Sequence, residues 1–270
     1  MKLTLNTAVT QVEISGIRQF SYLVRDTPGA CALTIGEPDL NTPDAVKEAA
    51  KAALDDNDTH YPPGNGYAYL LEAISRFEET AHGLVYAPEE IVTTVGATEA
   101  LSIALSAILN PGDEVIIPTP AFGLYEALVR LRDAVPVFLP TEHSRFQIVP
   151  EELAAAITPK TKAIILNNPS NPTGKVFTRE ELTFIGELAC RYDVFVITDE
   201  VYEHIVFDPY QHIPMAGLPG LFDRVITCSS LSKTYSITGW RLGYLIGPAQ
   251  VMEGAKKVHD FLTVGAPAPL

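Results

Sequence analysis

A chain of 270 residues, 47% hydrophobic and 19% charged, has the composition of a globular protein able to bury the core of one large domain or two small ones. Its formal net charge of −14 argues against the basic face that a nucleic acid or an anionic membrane surface requires. No apolar run reaches membrane-spanning length, and the N-terminal residues alternate polar and apolar without the continuous apolar centre of a signal peptide.

Residues 1 to about 30 carry little periodicity and are expected to form an arm or small flanking element. The run ALTIGEPDLNTP, Ala32 to Pro43, predicts a short strand breaking into a loop, and Pro43 opens a helical pattern rich in alanine. HYPPGNGY, His60 to Tyr67, predicts a loop leading into a helix through about Glu79. From Glu90 the pattern alternates strands and helices. Strands are expected at EIVTTVG, EVIIP, VPVFLP, KAIILNNP, VFVITDE, RVITCSS and RLGYLIG. The intervening helices run from Ala97 to Leu109, Phe122 to Leu131, Pro150 to Ile157 and Thr178 to Tyr192, with a last one from about Pro248 to Leu262.

Continuous apolar strands alternating with amphipathic helices predict an α/β fold, a three-layer α/β/α arrangement with a mostly parallel mixed sheet. RLGYLIG follows Lys233 too closely for a helical crossover, which marks that strand as antiparallel. The three cysteines, Cys31, Cys190 and Cys228, are widely spaced in apolar context and are read as reduced core thiols of a cytosolic protein. The six histidines are scattered, with no HExxH and no Cys/His cluster, so no protein-built metal site is expected.

The stretch Thr227 to Gly247 places Lys233 among Ser229, Ser230 and Ser232, just past an apolar strand, with Arg241 eight positions later. Strand ends are where open α/β sheets bind ligands, and a lysine, hydroxyls and an arginine there suit a carbonyl compound carrying a phosphate. The turn VGATEA joins a strand to a helix start whose Ala97 and Thr98 amides can hold a phosphate, although the residues alone favour an ordinary strand–helix turn capped by Thr98. NNPSNPTGK follows a buried strand and is either a plain tight loop or a source of asparagine donors at the crevice. TDEVYE sets Asp199 at a strand end, where a buried carboxylate needs a cation or donors, and brings Tyr202 to the same place. No GxGxxG follows a strand, which disfavours a dinucleotide site, and Gly174-Lys175 lacks the remainder of a P-loop.

Asn171, Asp199 and Lys233 recur at intervals of 28 and 34 residues, as successive strand–helix units would place them. The ordered set GEPD, GATEAL, NNPSNPTG, DEVYE and SxSKTYSITGWRLGY, from Gly36 onward, resembles class I/II aminotransferases of the pyridoxal-phosphate fold type I family. The similarity is to the branch containing aspartate, aromatic and kynurenine aminotransferases. That resemblance implies pyridoxal 5'-phosphate as cofactor and Lys233 as its Schiff-base lysine. It implies Asp199 as partner of the pyridinium nitrogen, and Asn171 and Tyr202 as donors to the ring oxygen. It further implies Gly96, Ala97, Thr98, Ser230, Ser232 and Arg241 around the phosphate, Phe122 stacked on the ring, and Tyr61 reaching the phosphate of a neighbouring subunit, hence a homodimer with shared sites. Gly36 and Asn171 match substrate-binding positions. The implied reaction moves an amino group from an L-amino acid to a 2-oxo acid, within amino acid metabolism.

The resemblance also sets domain expectations: residues 1–42 as an N-terminal arm and the start of a small domain, 43–270 as the large cofactor-binding domain, and the C-terminal small domain with its carboxylate-clamping arginine absent. Weak cofactor binding and little turnover are the expected consequence. A carbon–sulfur β-lyase of the same fold and a cofactor-binding domain without turnover are the alternatives, and SNPTG and DEVYE favour the aminotransferase over the lyase.

Overall fold

The computed structural model describes residues 3–14 and 16–270. Near the N-terminus a short turn at Val9–Gln11 precedes helix α1 (Gly16–Arg25), both lying on the exterior. Ala32 to Pro43 forms no strand: the segment is almost wholly exposed and has no neighbour to supply ladder hydrogen bonds, so its apolar residues do not suffice. Helices α2 (Asp44–Asp55) and α3 (Ala68–Phe77) follow. α3 passes into a π-helical turn, Glu78–His82, that Gly83 ends with a left-handed φ of 72°.

The alternating region forms β1 (Ile91–Val95), α4 (Gly96–Ile108), β2 (Glu114–Thr119), α5 (Leu124–Arg130), β3 (Val135–Pro140), α6 (Pro150–Ala156), β4 (Thr161–Asn167), α7 (Arg179–Tyr192) and β5 (Phe195–Asp199). It continues with β6 (Val225–Ser230), the single turn α8 (Leu231–Thr234), β7 (Leu242–Ile246) and α9 (Ala249–Leu262). The Thr178 side chain accepts from the Glu181 amide while Glu181 reaches back to the Thr178 amide, a capping box that fixes where α7 begins. Among the described residues the sheet has seven strands in the order β1-β7-β6-β5-β4-β2-β3. β7 is antiparallel to both its neighbours and the other pairings are parallel, as the short connection after Lys233 demands.

Two apolar clusters confirm three layers. One face packs Leu153, Leu182, Ile185 and Val196 with α6 and α7, and the other packs Leu101, Leu105, Val129 and Met252 with α4, α5 and α9. Strands buried on both faces explain the uninterrupted apolar runs of β4, β5 and β6. Of the three cysteines only Cys228 is in the core; Cys31 and Cys190 are exposed, so two of the three expected core thiols lie at the surface. Cys190 occupies the solvent side of α7, where apolar neighbours on the opposite face gave it a buried appearance.

β2 has β3 on one side and β4 on the other, so the chain reverses its direction of travel across the sheet there. The C-terminal ends of β2 and β4 therefore flank a topological switch point, the place where open α/β sheets form a crevice. Pairing register aligns Asn167 with Asp199 and Asp199 with Cys228, bringing the chemistry-bearing strand ends into one row.

Candidate functional site

Asp199 lies at the floor of this crevice, almost fully buried. The Tyr125 hydroxyl donates to its Oδ2 at 2.7 Å and the Val201 amide to its Oδ1 at 3.4 Å. Burial pushes its carboxyl up to about 6, against the opposing pull of those donors. Tyr125 is the residue the sequence reading passed over. Its signal was a tyrosine on the inward face of an apolar helix start, because a buried phenol needs a polar partner and here finds it in Asp199.

Lys233, in the α8 turn immediately after β6, is half-buried with its Nζ 5.7 Å from the centroid of the Tyr202 ring. Its ammonium donates to the Gly36 carbonyl oxygen. Burial lowers its pKa; Glu37 opposes that shift and the Arg241 charge reinforces it. Lys233 and Tyr202 thus meet from the ends of two neighbouring strands, with Asp199 beside Tyr202. Asn171 lines a cavity that also reaches Tyr125, the partner of Asp199; its backbone amide is held by Asn167 Oδ1, and the Asn167 side-chain amide donates to the Asp199 carbonyl at 2.9 Å.

Across β7 lies a second group. Gly96 begins α4 at a φ of +73°, and a Cβ there would come within 2.5 Å of Arg241 Nη2, so the guanidinium rests directly on this glycine. Gly243 lets the backbone approach equally closely: a Cβ at that position would meet the carbonyl carbon of Gly96 at 2.7 Å and the amide nitrogen of Ala97 at 2.8 Å. The helix start is capped by Glu99, whose Oε2 accepts from the Val95 amide at 2.5 Å. Thr98, the expected cap, is exposed instead. The Ala97 and Thr98 amides, in the first turn of α4, have no intrahelical acceptor. Ser230 caps α8, accepting from the Ser232 amide at 3.0 Å and donating to the Leu242 carbonyl at 2.9 Å.

Among the described residues no carboxylate forms an ion pair with Lys233 or Arg241. Arg241 and two helix-start amides meet at Gly96, and the Ser230 and Ser232 hydroxyls lie at the adjoining strand end, a cradle complementary to a dianionic group with Lys233 in the turn beside it. Phe122 stands beside this crevice, its ring edge-on to Tyr125 at 5.9 Å. Tyr61 is not brought to the site within this chain; it is 86% exposed.

Comparisons with known proteins find aminotransferases. A 41% identical relative, the aspartate aminotransferase of Pyrococcus abyssi, aligns over 96% of this chain and 66% of its own length. The aromatic-amino-acid aminotransferase 2 of Thermococcus litoralis is 40% identical, over 99% and 69% respectively. Among solved structures, N-succinyldiaminopimelate aminotransferase from Mycobacterium tuberculosis superposes with a TM-score of 0.94 at 37% identity, covering 98% of this chain and 70% of that one. The chain therefore spans about two thirds of the length of such relatives. With the family model for aminotransferase class I and II matching residues 29–270, the chain belongs to the class I and II aminotransferases.

Proposed function

We propose that the crevice holds pyridoxal 5'-phosphate and that the chain carries the cofactor-binding part of an enzyme moving an amino group from an L-amino acid to a 2-oxo acid. The observation that carries this reading is the half-buried Lys233 between a buried carboxylate and an anion cradle that no carboxylate neutralises. When bound, the cofactor supplies an electron-withdrawing ring that stabilises negative charge at the substrate α-carbon.

Each residue then has a physical task. Gly96, Ala97, Thr98, Ser230, Ser232 and Arg241 would hold the phosphate, the arginine through its planar fork of donors. Asp199 would keep a proton on the ring nitrogen; that positive charge would in turn draw its burial-raised carboxyl back toward ionisation. Tyr125 fixes which way that carboxylate points. Tyr202 and Asn171 would donate to the ring oxygen, and Phe122 would cover one ring face. Lys233, its ammonium made less costly to deprotonate by burial, would take the proton from the substrate α-carbon and return it as an acid. Gly36, already in contact with Lys233, would meet the substrate carboxylate through its backbone.

Residues 43–270 make up the cofactor-binding domain in this reading, and residues 1–42 contribute an arm and the start of a second domain. Tyr61 would complete the cradle of a second copy, which its exposure favours together with the bare apolar side chains of Leu33 and Leu40. The free thiols suit a reducing compartment, the cytoplasm. No helix among the described residues is long and apolar enough to cross a membrane. The test is an absorption titration with pyridoxal phosphate. A visible band that borohydride abolishes, and that Lys233→Ala never develops, is expected; an identical band in that variant would exclude Lys233 from the role.

A further inference from the structure

The histidines are scattered in sequence, yet the fold gathers two of them with three acids behind the Tyr202 segment. His82 comes from the π turn after α3, His212 from the loop leading to β6, and Glu200 and Glu203 from the turn after β5. A ring nitrogen of His82, a ring nitrogen of His212 and a carboxylate oxygen of Glu203 lie within 4.8 Å of one another. Their side chains are 11%, 6% and 7% exposed. Nothing in the transfer chemistry uses them.

The hydrogen bonding is that of a ligand set. His82 Nδ1 is held by Glu78 Oε2 at 2.9 Å, which leaves its Nε2 facing Glu203 Oε2 at 3.4 Å. His212 Nε2 is held by Glu200 Oε2 at 3.0 Å, and its Nδ1 is buried with no hydrogen-bonding partner, as is Glu200 Oε1. A carboxylate on one imidazole nitrogen with the other nitrogen open is how proteins orient metal-binding histidines. A separation of 3.4 Å is long for a hydrogen bond and equals the ligand–ligand edge of about 3.4 Å in a tetrahedron with zinc–ligand bonds near 2.1 Å.

Charge points the same way. Glu78, Glu200 and Glu203 are buried together, and among the described residues no lysine or arginine pairs with any of them. Facing them are His204, with its Nε2 3.7 Å from Glu203 Oε1, and the Tyr244 hydroxyl, 3.4 Å from Glu78 Oε1. Three carboxylates against two imidazoles leave an excess of negative charge that a divalent cation would offset. Glu203 and His204 also line the edge of an apolar groove of about 600 Å³, so the Glu203 side of the cluster borders open space. We propose that His82, Glu203 and His212 bind a divalent transition metal of the zinc class, with Glu78 and Glu200 as the carboxylates that orient the two imidazoles. Nitrogen donors select this class over magnesium or calcium. The ion would tie the end of α3 to the segment bearing Tyr202.

The test starts from chelator-treated protein titrated with zinc and, as a spectroscopic probe, with cobalt(II). One equivalent per chain is expected, with visible cobalt bands of a nitrogen–oxygen site. His82→Gln and His212→Gln should each weaken binding at least about tenfold, while His143→Gln and His60→Gln at the surface leave it unchanged. Because a buried substitution can unfold the chain, a second measurement uses the unaltered protein. Cobalt should broaden the ring proton signals of His82 and His212 before those of His60 and His143. Absence of stoichiometric binding, equal affinity in the His82→Gln, His212→Gln double variant, or broadening confined to other histidines would each overturn the proposal.

Discussion

The strand-end crevice and the N-terminal segment contribute to the same site under opposite physical conditions. In the crevice, Asp199, Ser230 and Ser232 are buried at the ends of paired strands or in the turn that follows, and glycines at 96 and 243 are required because neighbouring atoms leave no room for a Cβ. In the N-terminal segment, Gly36 has nothing within 4 Å of where a Cβ would be, Leu33 is 88% exposed, Leu40 is 75% exposed, and Lys233 is one of the few residues the segment touches. The crevice is organised by the chain's own core. The segment's contribution depends on what its apolar side chains meet.

The largest effect that would sharpen this contrast is at Gly243. Alanine there meets the Gly96–Ala97 peptide on one side and the Ser229 carbonyl on another, so Gly243→Ala is expected to cost about 3 kcal/mol or more in urea unfolding; Gly36→Ala should cost almost nothing, and equal losses would break the comparison.

Asp199 comes next, with the opposite sign. Its folded-state pKa is raised from 3.8 to about 6, so the folded protein holds the proton more tightly than the unfolded chain. Stability therefore falls as pH rises from about 4 to about 6, and the penalty is fully present above that. In cofactor-free protein, Asp199→Asn should be stabilising above pH 6 by up to about 3 kcal/mol and neutral near pH 3. A stability gain independent of pH would show that the carboxylate charge is not its source.

Tyr125→Phe should be smaller and destabilising, about 1–2 kcal/mol for the lost buried donor, and should raise the pKa of Asp199 further. That titration, followed by the pH dependence of unfolding, separates an electrostatic role from simple packing. Smallest of all, Leu33→Ala should change stability by less than about 0.5 kcal/mol in dilute protein. A loss that grows with protein concentration would instead reveal that a second copy covers this residue.

The same contrast explains what could be read from the sequence. β4, β5 and β6 are buried on both faces, so apolar runs gave their positions and the residues after them, and Asp199 and Lys233 followed. Antiparallel β7 was legible because the eleven residues between β6 and β7 are too few to hold a crossover. The strand expected at residues 32–35 failed because a short apolar run does not state whether a partner strand exists. Tyr125 was missed for a related reason: its task lies in a hydrogen bond to a residue 74 positions away. His82, His212 and Glu203 were likewise invisible, since no local spacing records that three separate turns meet.

Glu99 has a consequence for how the protein is made. The carboxylate that caps the cradle helix through the Val95 amide is itself held by His259 at 2.8 Å and by Thr263 at 2.7 Å, both around α9's end. β1, which leads into that helix, pairs along the sheet only with β7, about 150 residues further on. At roughly 5–20 residues per second, a ribosome needs on the order of 10–30 s to deliver those partners after the cradle sequence itself. The turn that opens α4 is thus among the earliest parts of the alternating region to be synthesised and among the last to be set, a long-range closure of the kind that slows folding. During that interval the apolar positions of β1 and α4, such as Ile91, Leu101 and Leu105, lack the partners that bury them in the finished fold.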